Sequence, residues 1–257
     1  MNNKTAKQML NSYRLKLALV SVAYLIALGA LIALTSYSVL LGLGGVVVLA
    51  LSVRIPFEKI RANELERVIF EELDPCKFQE LIDLGAFKNS KRHRVLCALS
   101  LGEYEKALDI IENEKAKKEH PVDICNDLYR KGYIYFEKGE FDKLPTVIKE
   151  YEALKKKYPK FVPTFNNFTV FDKFDAFVDE DYEYVVDVCD IDIKETNSKT
   201  QNHKITKINV SFYRAVSLYK LGKLDEAKEG FEAIIEFAPK MHKAKLAKEY
   251  ISLIEKA

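Results

Sequence analysis

From Leu17 to Val53 no residue carries a charge at neutral pH. That run exceeds one bilayer-crossing helix, which needs ~20 residues. Its most polar stretch is Thr35-Ser36-Tyr37-Ser38, so the pattern predicts two spans, Leu17–Leu34 and Val39–Ile55. Lys4, Lys7, Arg14 and Lys16 precede the first, while Arg54, Lys59 and Arg61 follow the second. The positive-inside bias then predicts a multi-pass cell-membrane protein with both termini cytoplasmic. A signal peptide cleaved near Ala33 fits poorly, because a second apolar segment follows at once. Ala23, Ala27 and Ala30 on one span, with Gly42 and Gly45 on the other, suit close helix approach. The hairpin holds no Asp, Glu, Lys, Arg or His, which points to an anchor rather than an ion path.

Beyond the hairpin the apolar period becomes helical. Ile60, Leu65, Val68, Ile69 and Leu73 predict a helix over Glu58–Leu73. Asp74-Pro75 stops it and caps another that runs to about Leu84-Gly85. The chain then repeats itself. Junctions fall at Gly102, Gly139 and Gly222, with a degenerate copy at Glu180, so successive spacings are 37, 41 and 42 residues. Self-similarity on this scale predicts stacked helix–turn–helix units. Glycine at the junction suits a left-handed helix end. A small residue five positions later, Ala107 or Ala227, lets the second helix lie close. Ile191–His203, rich in Lys, Thr, Asn and Asp, reads as a long loop.

These units resemble tetratricopeptide repeats over roughly residues 90–257. The resemblance is clearest at 208–240. There Ala215 and Ala227 stand at small positions, Leu218 and Phe231 at large ones, and Pro239 ends the second helix. Gly132 and Tyr135 carry it before Gly139, although Leu144 replaces the small residue and Pro145 follows. The spacings exceed that family's 34 residues. Met241–Ala257 reads as a closing helix. The expected fold is thus all-α: a basic tail (1–16), a transmembrane hairpin (17–55) and a cytoplasmic TPR-like α-solenoid (56–257).

Composition narrows the chemistry. Residues 1–57 hold five bases and no acid, leaving 35 bases against 38 acids in the rest. A mildly acidic bulk argues against nucleic acid as partner. Cys76, Cys97, Cys125 and Cys189 form no C-x-x-C pair and read as buried, reduced thiols. Motifs of nucleotide binding, serine hydrolysis and zinc proteolysis are absent, so neither an enzyme nor a cofactor is expected. His93 and Cys97 lie one helical turn apart but lack the further ligands of a metal site. The acids at 179–192 lack the pattern of an EF-hand and suit a helix N-terminus and a solvated face. Lys155, Lys156 and Lys157 suit a helix C-terminus or anionic lipid.

The resemblance implies a partner surface on the first helices of the repeats. Its positions fall on Asn126, Tyr129, Tyr133 and Phe136, on Asn167, Phe174 and Phe177, and on Asn209, Phe212 and Tyr219. Aromatics with neighbouring amides suit an extended peptide or a partner helix. Packing between repeats is the competing role for the same rings. The expected function is a membrane-anchored adaptor or scaffold for a protein partner. The alternative is an accessory subunit that pairs through its hairpin with a larger multi-span complex.

Overall fold

The computed structural model describes residues 4–35, 39–52, 54–87, 90–114, 120–159, 168–195 and 203–256. All regular structure among them is helical. The chain divides into two compact units, Met1–Lys88 and Asn89–Ala257.

The first unit begins with α1 (Ala6–Thr35) and α2 (Val39–Ser52). A short α3 (Arg54–Arg61), a π-turn (Ala62–Glu66), α4 (Arg67–Phe70) and α5 (Pro75–Asp83) follow. At ~1.5 Å per residue α1 is about 45 Å long, and its stretch Ala6–Ala33 is long and apolar enough to cross a membrane. From Leu15 onward several of its large apolar side chains are exposed, with Leu25 and Ile26 about two-thirds exposed at 67% and 68%. The paired spans predicted from the sequence are not supported. Helix α2 has 14 residues, about 21 Å, short of a ~30 Å hydrocarbon core. The two helices nonetheless pack together. The Tyr24 hydroxyl donates to the Ser52 carbonyl at 3.0 Å. A Cβ at Gly45 would lie 2.4 Å from the Leu31 side chain, so glycine permits that approach.

The basic tail is helical from Ala6 onward. Ala6, Met9 and Leu10 are buried, as are Leu65, Val68 and Ile69. Helix α1 packs against α3, the π-turn and α5, and Lys16 pairs with Glu64. Residues 56–88 therefore group with the apolar helices rather than with the repeats. The predicted Asp74 cap is present, its carboxylate accepting from Lys77 N at 3.0 Å, with Pro75 at the first helical position.

The second unit runs as helical pairs. They are α6 (Lys91–Leu101) with α7 (Tyr104–Asn113), and α8 (Pro121–Glu137) with a 3₁₀ turn and α9 (Leu144–Lys157). Next come α10 (Phe168–Val178) with α11 (Tyr182–Glu195), and α12 (His203–Lys220) with α13 (Leu224–Phe237). Helix α14 (His242–Ile254) closes the series. The expected loop at 191 is helical as far as Glu195, and 196–202 lies outside the described residues.

All four junctions share one geometry. Gly102, Gly139 and Gly222 have φ of 78°, 71° and 75°, and Glu180 adopts 60° without glycine's freedom. Each closes its helix with the same two backbone bonds. At Glu180 these run from Glu180 N to Phe177 O and from Asp181 N to Ala176 O. That is the Schellman arrangement. Five residues on, Ala107, Leu144, Val185 and Ala227 are all buried. Leu144 fills the small position because Phe141–Lys143 forms the 3₁₀ turn ahead of it, which puts Pro145 in the first turn of α9.

Candidate functional site

The aromatic row lies mainly inside the second unit. Tyr133, Phe136, Phe174 and Phe212 are buried. Phe136 stacks on Phe174 with centroids 4.3 Å apart and meets Phe177 and Tyr213 edge-on. Phe212 meets Phe231 and Tyr250 edge-on. These rings join helices of different pairs, and at these four positions packing, the competing role, is the one their burial shows. The sequence leaves the two roles open because packing and binding draw on the same residue types at the same helical spacing. Asn126, Tyr129, Phe177, Asn209 and Tyr219 stay half-buried, and Asn167 lies outside the described residues.

The strongest polar constellation was missed by sequence reasoning. It centres on Glu137, the last residue of α8, whose carboxylate accepts from three elements. Lys243 Nζ of α14 donates at 2.5 Å and the Tyr104 hydroxyl of α7 at 2.9 Å. The Tyr213 hydroxyl of α12 is the third donor. The side chains of Glu137 and Lys243 are only 6% and 4% exposed, so water contributes little. Three rings surround the ammonium. Its nitrogen lies 4.2 Å from the centroid of Phe212, 5.0 Å from Tyr213 and 5.7 Å from Tyr133. The faces of such rings are negative and attract a desolvated cation.

The electrostatics follow from burial and pairing. Burial alone would raise Glu137, but the Lys243 charge and three donated bonds outweigh it and hold the carboxyl below its ordinary value. Burial pulls Lys243 below the usual lysine value, and the Glu137 charge opposes that. Burial and the adjacent carboxylate push Tyr104 and Tyr213 up, so both remain hydroxyl donors. The first turn of α14 extends the cluster. His242 meets Tyr104 edge-on at 5.7 Å, and a Cβ at Gly102 would fall 2.5 Å from its ring. Helix α14 thereby touches α6 as well as α12 and α13. A lysine one residue into a helix and a carboxylate at another's end carry no readable motif. Only their separation of 106 residues, closed by the fold, makes them a pair.

Other candidates resolve into local roles. Ser90 Oγ lies 2.6 Å from His93 Nδ1, and no three metal-ligating side chains cluster among the described residues. Among the acids, Asp181 accepts from Tyr184 N at 3.2 Å at the start of α11. Asp190 pairs with Arg214 at 2.6 Å, and Asp192 with the buried Lys173. Lys155, Lys156 and Lys157 occupy the last turn of α9, where cations favour the helix dipole. Cys97, Cys125 and Cys189 are buried thiols and Cys76 is exposed.

The tetratricopeptide-repeat family model matches residues 210–240, which hold most of α12 and all of α13. The chain is thus a helical repeat protein similar to that class in its best-preserved pair. No curated protein and no solved structure matches it. Repeats of this class generally bind protein partners.

Proposed function

We propose that the protein is a membrane-anchored adaptor that recruits a protein partner through its repeat unit. The observation that carries this reading is the conjunction of two features. A tetratricopeptide-like pair lies at 210–240, and a spanning-length apolar helix lies at Ala6–Ala33, with exposed apolar side chains from Leu15 to Ile32. A helix apolar all round needs a buried or lipid environment. The bases flanking the apolar run favour a cytoplasmic repeat unit. The half-buried first-helix positions, above all the Asn126 and Asn209 amides, supply polar contacts to the partner segment.

Two experiments test the reading. A fragment starting at residue 89 should be soluble and helical without detergent, whereas the full chain should sediment with membranes. Recovery of the full chain in the soluble fraction would remove the anchor. Crosslinking capture with the full chain should retain a protein that the Asn126→Ala/Asn209→Ala variant loses at unchanged melting temperature. Equal capture by the two forms would remove the proposed surface.

A further inference from the structure

We infer that the first unit is a re-entrant wedge: α1 and α2 enter a lipid bilayer from one face, turn inside its hydrocarbon and leave by the same face. The bases at the open end of the hairpin then lie among the headgroups. This rests on the membrane-anchor reading and fixes the depth of the anchor.

The pairing register of the two helices carries it. Tyr24 of α1 meets Ser52 of α2, and Leu31 meets Gly45. Seven residues separate these contacts on each helix, so the helices run antiparallel and level, one residue of α1 for one of α2. Arg54, two residues past Ser52, therefore stands level with Val22, two before Tyr24. From that level to the end of α1 at Thr35 are 13 residues, about 20 Å. Helix α2 covers the same depth. Within it neither helix carries a charge, and Val22, Leu25, Ile26 and Ile32 of α1 are exposed, as are Val47 and Val48 of α2. The hydrocarbon core is ~30 Å thick. A hairpin that reached the far face would draw Arg54 about 10 Å into hydrocarbon, where a guanidinium is costly. Helix α1 alone is long enough to cross, but the helix packed against it is not.

The open end suits the headgroup layer. Helix α3 packs along α1, which brings its exposed Lys59 and Arg61 to the level of Arg14 and Lys16. Lys16 pairs with Glu64 just beyond α3. These bases lie within about 10 Å of Arg54 along the helix axis, where anionic headgroups attract them. Tyr24 falls just inside the same boundary, a depth favoured by rings with a polar tip.

The test uses the full chain, which has no tryptophan, in vesicles of phosphatidylcholine and phosphatidylglycerol. A single tryptophan replaces Val39 at the start of α2 or Leu19 beside α3, both exposed, so the core is untouched. The phosphatidylcholine is brominated either near its headgroup or near its chain ends. In Val39→Trp the deep bromines should quench at least ~2-fold more than the shallow ones, because this end of the hairpin lies about 5 Å past the midplane. In Leu19→Trp the order should reverse. Stronger shallow quenching of Val39→Trp places that end at an interface and overturns the wedge. Stronger deep quenching of Leu19→Trp places Arg54 in hydrocarbon and overturns it too. Either result leaves the anchor reading standing, whereas quenching of neither tryptophan by either lipid removes anchor and wedge together.

Discussion

Glu137→Gln is the sharpest probe of the buried cluster. The change keeps the side-chain shape but leaves one acceptor oxygen where Tyr104 and Tyr213 donate to two, and it removes the one charge that compensates Lys243. An ammonium whose side chain is 4% exposed cannot recover its hydration without opening the structure. Removing one member of a buried pair costs about 3–5 kcal/mol. For a unit of this size a melting temperature falls by ~2–4 °C per kcal/mol, so the expected loss is roughly 6–20 °C. Lys243→Met should cost less, because Glu137 keeps two tyrosine donors. The double variant Glu137→Gln/Lys243→Met should recover most of the loss, since neither buried charge remains. Circular dichroism melts of the four full-length forms in one detergent measure all three shifts. A Glu137→Gln shift under ~2 °C, or a double variant whose loss equals the sum of the singles, would refute coupling through a desolvated pair.

Three further outcomes follow from the same packing. Gly102→Ala and Gly222→Ala both impose a left-handed conformation on alanine at about 1 kcal/mol, but only the Gly102 Cβ meets the His242 ring; Gly102→Ala should melt lower, and equal melting would show that the ring is not held there. Glu180→Gly relieves the same strain at the one junction lacking glycine, and after the extra unfolded-state freedom of glycine a gain of roughly 0.5 kcal/mol should appear as a higher melting temperature. Burial first, and then the neighbouring Lys243, holds His242 below its ordinary value. The folded state then binds this proton less tightly than the unfolded chain. Stability is complete above pH ~6.5 and falls as pH drops through the folded value, so the wild-type melting temperature should decline between pH 7.5 and 5.5 and His242→Gln should flatten that slope.

Burial in the first unit also changes how the chain should be divided. A cut at 55 looks natural from charge and hydropathy. It would remove Ala6, Met9 and Leu10 from a unit whose core also holds Leu65, Val68 and Ile69, and leave apolar surface exposed. A cut at 88 keeps that unit whole. Alanine at Tyr133 and Phe136 is likewise unsuited to testing binding. Emptying such buried ring sites costs about 3–5 kcal/mol each, and loss of fold would mask any loss of contact.

What the sequence determined by itself is local. Helical period, the glycines at 102, 139 and 222, and the Asp74-Pro75 cap each act over one or two turns of chain, so spacing alone exposes them. Spacing alone places even Glu180, whose backbone takes the same left-handed turn without glycine. Tertiary structure decided which side of each helix is taken and by what. Burial depends on neighbours distant in sequence, and an aromatic at a first-helix position satisfies a core or a partner equally well. Only the return of α14 to α7, α8 and α12 brings Lys243 to Glu137. A charge pair 106 residues apart leaves no period or motif to read, because its energy comes from desolvation that exists only once the chain has closed around it.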